Sequence, residues 1–137
     1  MSCFVMVGYT HFIFNIDSWK PISMSLVGSG TLNNDVTIAY NISGVPDDAR
    51  GILLYASLSC GGNQEHTSQV GDVAFYVLRQ GVRCAKYLYM VGFPQNAYNT
   101  NSDNMWLPMP SSKVVYIDVP TKFTGYCFFR LFVIGYC

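Results

Sequence analysis

The segment from Gln95 to Trp106 contains the residue types that recognise sugars. Its twelve residues include four asparagines, one aspartate and two aromatic residues. Amide and carboxylate groups hydrogen-bond to vicinal hydroxyls, and an aromatic ring covers the apolar face of a sugar. We therefore predict a carbohydrate-binding site formed by the following residues: Tyr98, Asn99, Asn101, Asp103, Asn104 and Trp106.

The same segment lies in the longest loop that the sequence predicts, Phe93 to Ser112. Prolines interrupt this stretch, and only Met105 to Met109 has the composition of a short strand. A long loop inside a compact domain is more often functional than idle. The alternative is structural, because asparagines favour turns in any loop and Trp106 would then fill the core as the next strand begins.

The alternating positions of Asn99, Asn101 and Asp103 resemble the first half of a calcium-binding loop. No glycine follows at the required place, and Pro110 stands where the closing glutamate should be. We predict no metal ligand and no cofactor, and calcium is kept only as a minor alternative.

A second polar segment, Cys60 to Gly71, predicts another long loop. It contains flexible glycines and the polar residues Asn63, Glu65 and His66, which form a secondary candidate site. The alternative is that the segment is a mere connection. If the two loops are neighbours in space, they form one site.

No arrangement typical of an enzyme is present. Ser29 lies between two glycines in a predicted turn, but this is not the five-residue elbow of a nucleophilic serine. His11 lies in a segment with a strand pattern. The pair Asp47 and Asp48 follows Pro46 and is typical of a solvated turn. We predict that the protein is not an enzyme.

Five cysteines are present, and none forms a C-x-x-C pair. With only two histidines, disulfides are favoured over a zinc site. Cys127 and Cys137 cannot pair within one strand, because ten residues at about 3.3 Å each separate them by about 33 Å. Cys137 is the best candidate for a free thiol or a link to another chain. The pairing is left open among these candidates: Cys3, Cys60, Cys84, Cys127 and Cys137.

Composition predicts an oligomer. Half of the 137 residues are hydrophobic and only 12% are charged, against about 25% in an average soluble domain. A partner subunit would cover part of such an apolar exterior. Eight basic residues balance eight acidic ones without a basic stripe, so nucleic-acid binding is not predicted. No apolar run is long enough for a transmembrane segment.

Secretion is predicted from the cysteines and from the sequon at Asn41, which permits an extracellular location. The first residues lack the charged region of a signal peptide. By length, residues 1–137 form a single domain.

The stretch from Lys113 to Cys137 organises the predicted fold. Two runs rich in β-branched and aromatic residues flank a six-residue link, which predicts a closing β-hairpin. The second run, Tyr126 to Tyr136, is apolar on both faces apart from Arg130, and therefore requires cover on both sides. The strand at Ile52 to Ser59 shares this property.

The remaining strands are shorter. Cys3 to Phe14 predicts one long strand bent at Gly8, and Ile22 to Leu26 alternates as a half-buried strand. A hairpin is predicted from Asp72 to Gly92. With eight or nine antiparallel strands and no helical periodicity, the sequence predicts an all-β fold, a β-sandwich most consistent with a jelly roll. A small closed barrel is the alternative.

Two stretches, Asn101 to Pro108 and Leu131 to Tyr136, resemble parts of secreted β-domains of sponges and cnidarians. Some of those domains are lectin-like, and some are attached to collagen-like stalks. The resemblance implies extracellular binding or assembly. In architecture alone, the predicted fold is also similar to the trimeric jelly rolls of the complement and tumour necrosis factor group.

Three functions follow as hypotheses. The first is a secreted, oligomeric carbohydrate-binding protein, in which several weak sites gain affinity through multivalency. The second is a structural module that assembles into a trimer or polymer without a small ligand. The third, a membrane-active toxin, depends on exposed aromatic residues and is the least favoured.

Overall fold

The structure, a computed structural model, describes residues 2–7, 10–15, 19–32, 37–61, 69–92, 98–119 and 126–137. These residues form ten β-strands and no helix. The strands are β1 (Ser2–Val7), β2 (Thr10–Asn15), β3 (Lys20–Thr31), β4 (Thr37–Asn41), β5 (Gly51–Gly61), β6 (Gln69–Arg79), β7 (Val82–Gly92), β8 (Tyr98–Pro108), β9 (Val114–Asp118) and β10 (Tyr126–Tyr136).

Eight of these strands form two four-stranded antiparallel sheets that pack as a β-sandwich. The first sheet has the order β3-β10-β5-β8, and the second has the order β4-β9-β6-β7. Counted from β3 as the first strand, the two orders are 1-8-3-6 and 2-7-4-5. The all-β prediction and the sandwich prediction are therefore confirmed.

The core lies between the sheets and follows the period of two that strand geometry imposes. In β10, the inward residues Cys127, Phe129, Leu131 and Val133 are fully buried. In β5, alternate residues from Ile52 to Cys60 are buried in the same way. Both strands pair with a neighbour at each edge, so they are central in the sheet as their composition predicts. The predicted cover of both faces is not seen among the described residues, because the outward Tyr55, Phe128 and Phe132 are only half-buried and Arg130 is exposed.

The predicted closing hairpin is wrong. Strand β9 pairs with β4 and β6, whereas β10 pairs with β3 and β5, so the two runs belong to opposite sheets. Strand composition identified both runs, but it carries no information about which partner each run hydrogen-bonds. The predicted hairpin of β6 and β7 is confirmed, with Gln80 and Gly81 at positive φ in its two-residue turn.

The N-terminal region also differs from its prediction. Instead of one bent strand, β1 and β2 pair antiparallel as a separate two-stranded sheet. The register aligns Met6 with His11, which confirms that His11 lies in a strand.

Strand β3 corrects two further predictions. Gly28 and Gly30 lie inside the strand, not in a turn. The register with β10 shifts twice, which lets Ile22 pack on the core while Met24 and Leu26 point outward. These two side chains are 59% and 55% exposed, so the predicted buried face of this strand is wrong beyond Ile22.

One disulfide joins Cys60 of β5 to Cys127 of β10, at positions directly opposite in the register. Cys84 is a free, buried cysteine, and Cys137 is free and half-buried. The prediction of a disulfide is therefore confirmed, and of the five candidates Cys60 and Cys127 form it, whereas Cys84 and Cys137 are free. The side chain of Cys3 lies outside the described residues.

Candidate functional site

From Tyr98 onward, the predicted binding segment is a strand instead of a loop, and residues 93–97 of the predicted loop lie outside the described residues. Strand β8 runs from Tyr98 to Pro108 at the edge of the first sheet and pairs with β5 along its length. The loop assignment failed because its asparagines, which favour turns in general, here occupy an exposed edge. Pro108 ends the strand and Pro110 lies beyond it, where they interrupt no ladder hydrogen bond.

This conformation divides the predicted residues between two faces of β8. Asn99, Asn101 and Asp103 lie opposite the inward residues of β5, whereas Asn104 and Trp106 lie opposite outward ones. The side chain of Tyr98 lies outside the described residues. The structure therefore does not bring the predicted set together on one surface.

Two of the predicted residues make local structural contacts. The Asn101 amide Nδ2 donates a 2.8 Å hydrogen bond to the backbone carbonyl of Tyr89, which links the edge of β8 to β7. Asp103 Oδ1 accepts a 2.8 Å bond from the backbone amide of Asn104. Alternate residues of a strand are about 7 Å apart, so this conformation does not favour the calcium alternative for Asn99, Asn101 and Asp103.

A groove of about 380 Å³ opens on the outer face of the first sheet. We call it the outer groove. Of the predicted residues whose side chains the structure describes, only Asn101 lines it. The side chains that give it its chemistry are Tyr55, Ser57, Ser59, Thr100, Ser102, Phe128 and Arg130.

The register of three strands builds the floor of this groove. Arg130, Ser57 and Ser102 form one row across β10, β5 and β8. The next row across the same strands contains Phe128, Ser59 and Thr100. Since alternate residues of a strand point to the same face, these rows collect four hydroxyl groups in one place.

Aromatic rings border the hydroxyl rows on two sides. The Tyr55 and Phe132 rings are 6.1 Å apart and tilted by 38°. On the β10 side of the rows, the Arg130 guanidinium lies over the Phe128 ring, 5.5 Å from its centroid. The groove thus combines ring faces, hydroxyls and one cation.

The same sheet face becomes apolar beyond Tyr55. The next row contains Leu26, Phe132 and Tyr55, and Met24 is exposed beside it on β3. We call Met24, Leu26, Phe132 and Tyr55 the apolar half. No described element lies over it.

The outer face of the second sheet carries a different cluster. The rings of Tyr76 and Tyr116 stack with centroids 5.1 Å apart, and the Arg83 guanidinium lies 4.0 Å from the Tyr76 centroid. Asp118 accepts hydrogen bonds from Arg83 at 3.3 Å and from Thr37 at 3.2 Å. Partial burial is the main reason that the pKa of Tyr76 is raised above 10.0. These charges satisfy each other and leave a closed network.

A second groove, of about 320 Å³, lies at one end of the sandwich between Arg50 and Arg79. Arg79 Nη1 donates to the Met109 carbonyl at 3.3 Å. Lys113 pairs with Asp47 at the rim, and this hydrogen bond lowers the pKa of the Asp47 carboxyl. The groove is walled by these structural contacts.

Sequence reasoning missed most of the outer groove. Arg130 had one visible signal, since it is the only charged residue in an otherwise apolar strand. Ser57 and Ser59 alternate within a strand read as fully apolar, which is a weaker signal. The secondary candidates Asn63, Glu65 and His66 lie outside the described residues.

In the described ranges, no group of three or more His, Cys, Asp or Glu residues is arranged to hold a metal ion. Nor does that part of the chain contain a helix with the length and hydropathy needed to span a membrane. No protein-family model and no curated protein sequence matches this chain.

Proposed function

We propose that this protein is a secreted, oligomeric carbohydrate-binding protein and that the outer groove is its glycan site. One observation carries the proposal: β5 and β8 place four hydroxyl groups together on one face, with the ring of Phe128 beside them on β10 and Tyr55 at the next outward position of β5. A sugar presents hydroxyl groups around its edge and C–H groups on its face. Such a ligand needs both kinds of contact at once.

The position of the groove favours a weak, repeated interaction. It is an open depression on a sheet, so a bound sugar keeps much of its surface in water. Several copies of the groove in one oligomer would raise the apparent affinity without new contacts. This is why the proposal joins sugar binding to oligomerisation.

Three further features support it. The Cys60–Cys127 disulfide fits an oxidising, extracellular compartment. The strand orders 1-8-3-6 and 2-7-4-5 are those expected of a jelly roll, an architecture that includes lectin domains. The low content of charged residues, 12%, favours a partner surface.

The test is a glycan array probed with the intact protein and with two variants of the groove. Thr100→Val and Ser57→Ala each remove a hydroxyl from the floor with little change in shape, and we expect the double variant to lose at least tenfold in binding. Ser112→Ala, an exposed serine outside the groove, is the matched control. Unchanged binding by the double variant, or no binding of any glycan by the parent protein, would overturn the proposal.

The apolar half favours a second candidate function, a structural module that assembles without a small ligand. Leu26 pairs with Phe132 in the register, and Met24 lies two residues before Leu26 on the same strand. Both Met24 and Leu26 are more than half exposed, so this part of the sheet presents an apolar surface. An exposed apolar surface of this kind is typical of a site that contacts another protein. A second copy of the chain is the partner that the low charge content predicts.

Sedimentation velocity over a range of concentrations tests this candidate. We expect Leu26→Ser to weaken self-association at least tenfold, whereas Leu78→Ser, an exposed leucine on the other sheet, leaves it unchanged. A monomer at all concentrations would contradict self-assembly. An oligomer that binds no glycan would favour the second function over the first.

A further inference from the structure

Arg130 occupies an unusual position in the first sheet. It is the only charged residue between Tyr126 and Tyr136, and it lies on a central strand with its side chain exposed. Ser29 and Ser57 are its neighbours across the two adjacent strands. The contact of its guanidinium is with the Phe128 ring, 5.5 Å from the centroid.

Arg130 has no acidic neighbour in the rows around it within the described part of the chain. Its register row, which continues through Ser57 to Ser102, and the adjoining rows contain no Asp or Glu within the described part of the chain. Asp103, the nearest acidic residue on β8, lies opposite the inward Ala56 and therefore on the other face. Among the described residues, Arg130 thus has hydroxyl groups and an aromatic ring around it, and no carboxylate on its sheet face.

Other cations of this protein behave differently. Arg83 pairs with Asp118 at 3.3 Å, and Lys113 pairs with Asp47. In both cases the chain supplies its own anion. At Arg130, the described chain supplies a groove of about 380 Å³ instead.

Guanidinium chemistry defines what fits there. Its planar fork of N–H donors matches a carboxylate or a sulfate with two parallel hydrogen bonds. Hydroxyls beside it can donate to the remaining oxygens or accept from the ligand. The cation–π contact with the Phe128 ring favours a position of the guanidinium at the groove.

We infer that the outer groove selects acidic sugars, in which a carboxylate or sulfate group pairs with Arg130 while the sugar hydroxyls contact the hydroxyl rows. The inference rests on the proposed carbohydrate-binding function and names the class of glycan. A neutral sugar leaves the guanidinium without an anion and therefore binds more weakly.

Matched pairs of glycans that differ only in charge test this inference. Oligogalacturonate is compared with its methyl ester, and dextran sulfate oligosaccharides with dextran, by titration calorimetry on the intact oligomer. We expect at least one acidic form to bind ten times more tightly than its neutral partner, with an advantage that falls as salt rises.

Three variants identify the residue responsible. Arg130→Gln should remove the preference for the acidic form, and Arg130→Lys should keep only part of it, because an ammonium lacks the planar fork. Ser57→Asp places a carboxylate opposite Arg130 and should also remove the preference. Arg83→Gln, on the other sheet, is the control and should leave the ratio unchanged. Circular dichroism confirms that each variant is folded.

The outcomes separate this inference from the function on which it rests. Equal binding of acidic and neutral forms, or an unchanged ratio in Arg130→Gln, overturns the acidic preference. If neutral glycans bind on the array and neither acidic probe does, the inference is wrong and the proposed function stands. If no glycan of either kind binds, both are wrong.

Discussion

The ring of Tyr40, on the second sheet, lies directly against the backbone of Gly28 on the first sheet. A Cβ atom at position 28 would come as close as 2.5 Å to the ring atom Cε1 of Tyr40. The same ring lies 5.8 Å from that of Phe129, at an angle of 59°. The absence of a side chain at residue 28 therefore allows an aromatic residue to join the two sheets.

Substitution at Gly28 should weaken this contact between the sheets. We expect Gly28→Val to lower the free energy of unfolding by about 1–3 kcal/mol, because overpacking forces the Tyr40 ring out of its position. Urea denaturation measures the change. Ser29→Val, at the neighbouring exposed position, is the matched control, and an equal loss in both variants would contradict the role of this contact.

The Cys60–Cys127 disulfide closes a loop with a sequence separation of 67 residues. In the chain-entropy model, a bridge of this span stabilises the fold by about 4 kcal/mol, so the double variant Cys60→Ala with Cys127→Ala should lose most of this amount. Denaturation with and without a reductant provides the measurement. Cys137→Ala, which removes a free thiol, is the control. The reductant should change the stability of this variant by the same amount as it changes that of the parent protein.

Substitution of Asn101 distinguishes a structural role of this residue from a role in ligand binding. Its hydrogen bond to the Tyr89 carbonyl links β8 with β7, so Asn101→Ala should destabilise the fold by about 1 kcal/mol. Asn104→Ala, at an exposed position on the other face of β8, should have a smaller effect. A stability loss limited to Asn101→Ala, measured by thermal unfolding, supports the structural role. Equal stability with lost glycan binding would instead support the original ligand prediction.

Stability should fall in alkaline solution because of Cys84. Burial raises the pKa of this thiol above 9.0, and the charge of Arg79 offsets only part of that effect. The unfolded chain therefore releases its thiol proton first, and the stabilisation present below pH 9.0 is lost as pH rises through the higher folded pKa.

Denaturation curves between pH 8 and pH 10 measure this dependence. We expect a smaller decline in Cys84→Val than in the parent protein, whatever the absolute stability of the variant. Cys137→Ala is the companion measurement, because burial also raises the pKa of Cys137. Identical slopes for parent and Cys84→Val would show that this thiol does not contribute.

The register of β3 explains one limit of the sequence prediction. Ile22, Met24 and Leu26 alternate as a buried face would, yet only Ile22 packs on the core. Two register shifts against β10 change which residues point inward. A bulge depends on the geometry of both strands, so the alternation within one strand cannot predict it.

The sequence by itself determined the fold class and the centre of the first sheet. Period-two alternation and the two strands that are apolar on both faces predicted a sandwich, since such strands need cover on each side. The turn predicted from Gln80 to Arg83 likewise indicated the hairpin of β6 and β7. These features are local, because neighbouring residues of one strand or turn decide them.

Only the tertiary structure decided which residues share the outer groove. Ser57, Ser102 and Arg130 belong to three strands that are distant in sequence, and the antiparallel register aligns them in one row. The sequence marked Arg130 as an exception and placed the binding residues on one continuous segment instead. Pairing between distant strands arises from the packing of the whole chain, and for this reason it assembled a surface that no single stretch of sequence contains.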